Sequence, residues 1–137
     1  METNYANTDF DLRSPVAFDE LDAELSTLCC KLQYDRAPDG VWWASYEANQ
    51  LNDSAENDIS AFLAAIDELS ETARSQLSSC TKRDFNIGFH CWDSWAYNLH
   101  LPRTLVAAVA NSAASISITL YPMREPDGTP KIDTDGG

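Results

Sequence analysis

At 137 residues the chain has room for one domain with a real core, and not for two comfortable ones. A hydrophobic fraction of 44% is ordinary for a globular protein, but 22 Asp and Glu against 9 Lys and Arg leave a formal net charge of -13. Such a field repels nucleic acid and anionic membranes and speeds association with basic partners.

The first 13 residues include Tyr5, Phe10 and Leu12 and read as a weak first strand. Ser14 and Pro15 then supply a cap and a first helical position. Leu21, Leu25, Leu28 and Leu32 follow at helical spacing, with Phe18 and Cys29 widening the stripe. Asp19, Glu20, Asp22 and Glu24 lie in the first turns, where carboxylates oppose the helix dipole favourably. Pro38-Asp39-Gly40 is a turn signal leading into a strand over Val41–Glu47.

Asp53 with Glu56 resembles a capping box, and Ile59, Phe62, Leu63, Ile66, Leu69, Ala73 and Leu77 predict one long helix. Phe85, Ile87, Phe89 and Cys91 alternate with Asn86, Gly88, His90 and Trp92, the pattern of a strand with one buried face. Asp93–Leu101 reads as a loop or short strand. Pro102 opens a third helix through Leu105, Val106 and Val109, and Ile116, Ile118 and Leu120 mark a last strand. Together these predict an α+β fold, a mainly antiparallel sheet with helices packed on one face. Residues 1–123 form the single domain, and 124–137, rich in Pro, Asp and Gly, form a flexible acidic tail.

The residues that could carry chemistry are sparse. His90 and Cys91 are strand neighbours, so their side chains face opposite ways and cannot share one ion. The paired ligand spacing of structural zinc is absent, as are a Gly-x-Ser-x-Gly elbow, a Cys-centred catalytic signature and a phosphate-cradling glycine loop. No metal, cofactor or catalytic residue is therefore expected. Cys29, Cys30, Cys80 and Cys91 include no Cys-x-x-Cys pair and suit reduced, mostly buried thiols. With no apolar run of about 18 residues and no signal-peptide pattern at Met1-Glu2-Thr3-Asn4, a cytoplasmic location is expected.

Aromatic residues offer more. On a sheet with helices on one side, the open face would carry His90, Trp92, Tyr121 and one of Trp42 and Trp43, with Trp95 and Tyr97 in the adjoining loop. Aromatics dominate interface hot spots, so Trp92, Trp95, Tyr97 and Tyr121, with Asp93, are the expected partner-binding set. Acid is concentrated early in the chain: residues 1–60 hold 13 acids and 3 bases, net -10. Asp19, Glu20, Asp22 and Glu24 are accordingly expected to steer a basic partner.

Gly40-Val41-Trp42, the helix Ile59–Leu77, Phe89-His90-Cys91-Trp92 and the run from Leu99 through Val109 to Ile116–Pro122 together resemble the bacterial family known as domain of unknown function 4279, over roughly Phe18 to Pro122. That resemblance implies an α+β protein that serves as an immunity protein, neutralising a toxin by stoichiometric binding without catalytic residues. The leading expectation is thus an inhibitory protein for a basic, nuclease-like toxin. The alternatives are an acidic nucleic-acid mimic that blocks a DNA- or RNA-binding protein, and a small ligand-binding or enzymatic domain using His90, Asp93 and His100 near the Trp92–Arg103 loop.

Overall fold

In a computed structural model of the chain, residues 1–49 and 54–131 are described. The elements run β1 (Asn4–Ser14), α1 (Asp19–Leu28), β2 (Cys30–Arg36), β3 (Trp42–Glu47), α2 (Ala55–Asp67), α3 (Glu71–Ser79), β4 (Lys82–Cys91), α4 (Arg103–Asn111) and β5 (Ser115–Pro122). The strands form one sheet in the order β2-β3-β1-β4-β5. All neighbours are antiparallel except β4 and β5, which are parallel and joined through α4. This is the expected α+β class.

The strand that reads weakest in the sequence is the central one. β1 pairs with β3 on one side and β4 on the other. Its Thr8, Phe10, Leu12 and Ser14 are buried, while Asn7, Asp9, Asp11 and Arg13 point the opposite way. The core forms where that buried parity meets the helices. Phe10 stacks on Phe85 with ring centroids 4.8 Å apart, and Phe62 of α2 sits 5.6 Å and 5.8 Å from the two of them.

Two buried carboxylates fasten the helices to the sheet. Tyr46 of β3, fully buried, donates its hydroxyl to Asp22 of α1 at 2.8 Å, and Lys31 completes that carboxylate at 3.1 Å. On the other side of the core Tyr5 of β1 donates to Asp58 of α2. Burial and these carboxylates push both phenols well above their usual range, so they remain hydrogen-bond donors.

Four elements differ from the sequence reading. The first helix starts after Phe18 and stops at Leu28. Ser14 instead closes β1 and accepts a hydrogen bond from the Val16 amide. Leu32 lies on β2 at a register shift and is exposed, because pairing of Cys30–Arg36 with β3 prevails over the accidental helical spacing. The long second helix is two. Ser70 breaks it, its hydroxyl accepting from the Ala73 amide at 3.1 Å, while Glu24 accepts from both the Ser70 amide and hydroxyl. Leu69, Ala73 and Leu77 stay buried across the break, so the apolar period gave no sign of it.

Asp53 of the expected capping box lies outside the described residues. Ser54 caps α2, accepting from the Asn57 amide at 3.1 Å. In β5 only one parity touches the core, and weakly: Ile116 is half-buried, whereas Ile118 and Leu120 are exposed. Residues 124–131, expected within a flexible tail, fold back as a turn in which Met123 bonds Cys91, Lys131 bonds Met123 and Glu125 bonds Thr129.

Phe62 is 1% exposed between two other phenylalanines. Phe62→Ala should therefore cost about 3–5 kcal/mol, measured by urea unfolding. A loss below about 1 kcal/mol would show that α2 does not pack this way.

Candidate functional site

Among the described residues every helix that touches the sheet does so on the Phe10–Phe85 side, and none covers the opposite face. The register lays that open face out as five cross-strand rows. At one end stand Asp35, Trp43, Arg13 and Lys82, then Gln33, Ser45, Asp11, Asp84 and Ser115. Next come Cys30, Glu47, Asp9, Asn86 and Ser117, then Asn7, Gly88 and Thr119, and at the far end Asn4, His90 and Tyr121.

The middle of this face is acidic. Asp11 and Asp84 are opposite each other in one row, and Glu47 and Asp9 are opposite in the next. The hydrogen-bond donors around them are neutral: Ser45 to Asp11 at 2.7 Å, Ser115 to Asp84 at 2.6 Å and Asn7 to Asp9 at 3.3 Å. Among the described residues the ion pairs are Met1–Asp93, Lys31–Asp22 and Arg124–Asp93, and none involves these four acids. Burial first, then the charges of Asp11 and Glu47, push the Asp9 carboxyl up to about 6. Among the described residues no group of three His, Cys, Asp or Glu side chains is placed to hold a metal ion.

Gly88 shapes the Tyr121 end. A Cβ there would lie 2.9 Å from the Tyr121 ring and 2.8 Å from the Asn7 side chain, so glycine lets the tyrosine lie down on the sheet. His90 meets Asn4 at 3.3 Å beside it.

The residues expected to bind a partner divide into two groups. Trp95 is fully exposed, and Tyr97 and Tyr121 are about half exposed, Tyr97 set edge-on to Phe89. These remain available. Trp92 and Asp93 are engaged by the fold itself. Arg124 lies 5.5 Å above the Trp92 ring and pairs with Asp93, which the amino terminus also reaches at 3.4 Å. Arg124 and the terminus hold the Asp93 carboxyl down at about 2.

All four α1 acids hydrogen-bond within the chain, but only Asp22 is buried; Asp19 and Glu20 are exposed and Glu24 partly so. Asp22 is buried beneath Tyr46 and Lys31, and Glu24 holds Ser70 at the head of α3. Asp19 accepts from Tyr34 at 2.7 Å, and Glu20 accepts from Gln76. The expectation that Asp22 steers a partner is thus corrected: its charge is spent inside the protein.

His90, Asp93 and His100 do not converge: His90 meets Asn4, Asp93 meets Arg124 and His100 is exposed. A cleft of about 680 Å³ lies elsewhere, among Ile66, Arg74, Leu77, Arg83 and Asn111. Its arginines cap helix ends, Arg74 donating to the Asp67 and Leu69 carbonyls and Arg83 to those of Leu77 and Ala113. No helix among the described residues is long and apolar enough to cross a membrane. Comparison with protein-family models finds no match, and comparisons with curated proteins and with solved structures find none either.

Asp9, Asp11, Glu47 and Asp84 were not singled out in the sequence. The signal was present as the polar parity of each strand, which becomes a surface only once the helices are known to lie on one side.

The raised Asp9 value fixes a sign. The folded state holds this proton more tightly than the unfolded chain, so Asp9 lowers stability as pH rises from about 4 to about 6, and the penalty persists above that. Asp9→Asn should raise the melting temperature at pH 7 and leave it unchanged near pH 3.5. Equal melting temperatures at pH 7 would contradict the raised Asp9 value and the buried, acid-flanked setting behind it.

Proposed function

We propose that this chain is a non-enzymatic binding protein that captures a basic protein through the open face of its sheet. The observation that carries the reading is the two adjacent rows in which the half-buried Asp11, Glu47 and Asp9 stand with the buried Asp84; neither row contains a cation, and Arg13 and Lys82 in the row beyond are not paired to them. Carboxylates set beside one another without a paired counter-charge are unfavourable in the free protein, and after burial the charges of Asp11 and Glu47 contribute to the raised Asp9 value. A cationic surface laid across them removes the repulsion and gains the attraction, so the geometry favours binding of base over any neutral ligand. Tyr121 at the end of the face and Trp95 in the adjoining loop supply apolar anchors.

In its most concrete form the proposal is a toxin-immunity protein that blocks a basic, nuclease-like toxin stoichiometrically. Its support is the acidic face, the net charge of -13 and the sequence resemblance described above. A basic nuclease presents its cations around the cleft that receives nucleic acid, and an acidic sheet face of this kind competes for the same groups.

Stopped-flow binding to the purified product of the gene adjacent to this one tests the reading. At low salt the association rate should exceed the unsteered range of about 10⁵–10⁶ M⁻¹s⁻¹. It should fall as the screening length shortens from about 30 Å at 0.01 M to about 8 Å at 0.15 M salt. Asp9→Asn combined with Asp11→Asn and Glu47→Gln should slow capture roughly 10-fold at low salt, whereas Trp95→Ala should mainly speed release. Asp22→Lys should instead unfold the protein, because it places a cation against Lys31 and the buried Tyr46 hydroxyl. An association rate indifferent to salt and to the triple substitution would refute the acidic face as the binding surface.

A further inference from the structure

The two edges of the sheet are built differently. β2 carries Lys31, Asp35 and Arg36 and shifts register around Leu32, features that discourage pairing with a foreign strand. β5, at the other edge, reads Ser-Ile-Ser-Ile-Thr-Leu-Tyr-Pro over Ser115–Pro122. It has eight residues, no charge and no register shift against β4, its strand neighbour. Ile118 and Leu120 are 57% and 62% exposed, and Val106 on α4 is 44% exposed. Ile118 and Leu120 are in register with the buried Ile87 and Phe89, so they lie on the helix side of the sheet but beyond the helices' cover.

Charge marks the same edge. Although the chain holds 22 Asp and Glu, none occurs from Ser94 to Met123, the stretch that supplies α4 and β5. We infer that β5 pairs antiparallel with β5 of a second copy of this chain, across a two-fold axis at Ile118, to make a continuous ten-stranded sheet.

Two features select a second copy over another protein. The first is self-complementarity. With Ile118 opposite its own equivalent, Ile116 comes opposite Leu120 and Ser117 opposite Thr119, so apolar residues meet on the helix side and hydroxyls on the open side. The second is electrostatic. Two chains of net charge -13 repel, and they can approach closely where no carboxylates are brought face to face. A basic partner, by contrast, gains nothing from an acid-free edge. The axis runs perpendicular to the sheet, which puts both helical layers on one side and both acidic faces on the other. The inference goes beyond the proposed function and does not rest on it.

Sedimentation velocity on the full chain under reducing conditions, from about 1 to about 300 μM, reads the association directly. A dimer should appear with rising concentration and should tighten between about 0.05 M and 0.5 M salt, because salt screens the repulsion between copies. That is the opposite salt response from capture of a basic partner. Ile118→Glu and Ile118→Lys should each raise the dissociation constant by about 100-fold or more, since like charges would face each other across the axis. Far-UV circular dichroism should confirm that both variants stay folded, as expected for an exposed position. Mixing the two should restore a dimer, now a heterodimer, which a general loss of apolar surface would not do. The inference is overturned by a chain that stays monomeric throughout, by a dimer unaffected by Ile118→Glu, or by a mixture that remains monomeric. Each of these outcomes leaves the open-face substitutions as a separate test of the basic-partner reading.

Discussion

A sheet covered on one side only requires every strand to carry two chemistries at alternate residues, and the rest of this protein depends on how that requirement is met. On β1 the buried parity is Thr8, Phe10, Leu12 and Ser14, and the opposite parity is Asn7, Asp9, Asp11 and Arg13. A slip of one residue would place two aspartates against Phe62 and Phe85. β1 is paired on both sides, so its register is transmitted to β3 and β4 and sets the acidic rows of the open face. The same constraint that builds the core therefore composes the acidic face.

The helices are held to this sheet by more than apolar contact. Tyr46 with Asp22, and Tyr5 with Asp58, place a phenol from the sheet against a carboxylate from a helix at two separated points of the core. Apolar packing alone fixes position loosely, whereas a buried carboxylate demands its donors with defined geometry. Glu24 adds a third tie by gripping Ser70, so that α1 locates the start of α3. Acids that sequence inspection assigns to the surface thus act as internal fasteners. This is also why the first 60 residues hold so many carboxylates without presenting all of them to a partner.

The fold class was legible because Phe85 to Cys91 alternates cleanly and Ile59 to Ile66 keeps helical period. Leu32 misled because a strand can reproduce a helical spacing by chance over one step, and only its pairing with β3 decides the matter. The break at Ser70 was hidden because both helices bury the same apolar series. Of the candidate site, Trp95, Tyr97 and Tyr121 were readable as exposed aromatics. Trp92 and Asp93 were not readable as engaged groups, since Arg124 reaches them from 31 residues beyond Asp93 and the amino terminus from 92 residues before it. Asp9, Asp11, Glu47 and Asp84 come from three strands, and no window of sequence brings them together.

Their placement bears on what the charge is for. A charge that serves only solubility can stand anywhere in open water, where it costs the fold nothing. These four carboxylates stand instead in adjacent rows of a sheet, Asp84 buried and the other three half-buried, with amides and hydroxyls as their hydrogen-bond partners and with Arg13 and Lys82 in the next row, not paired to them. β5 shows that serine and threonine can fill open-face positions of this same sheet, and they would do so without mutual repulsion. At Asp9 the domain carries a penalty, from burial first and from the charges of Asp11 and Glu47 next, that a serine or threonine at this position would avoid. A cationic surface brought against the rows would offset the part of that penalty that comes from Asp11 and Glu47. The distribution of the acids, more than their number, is what supports the proposed basic partner.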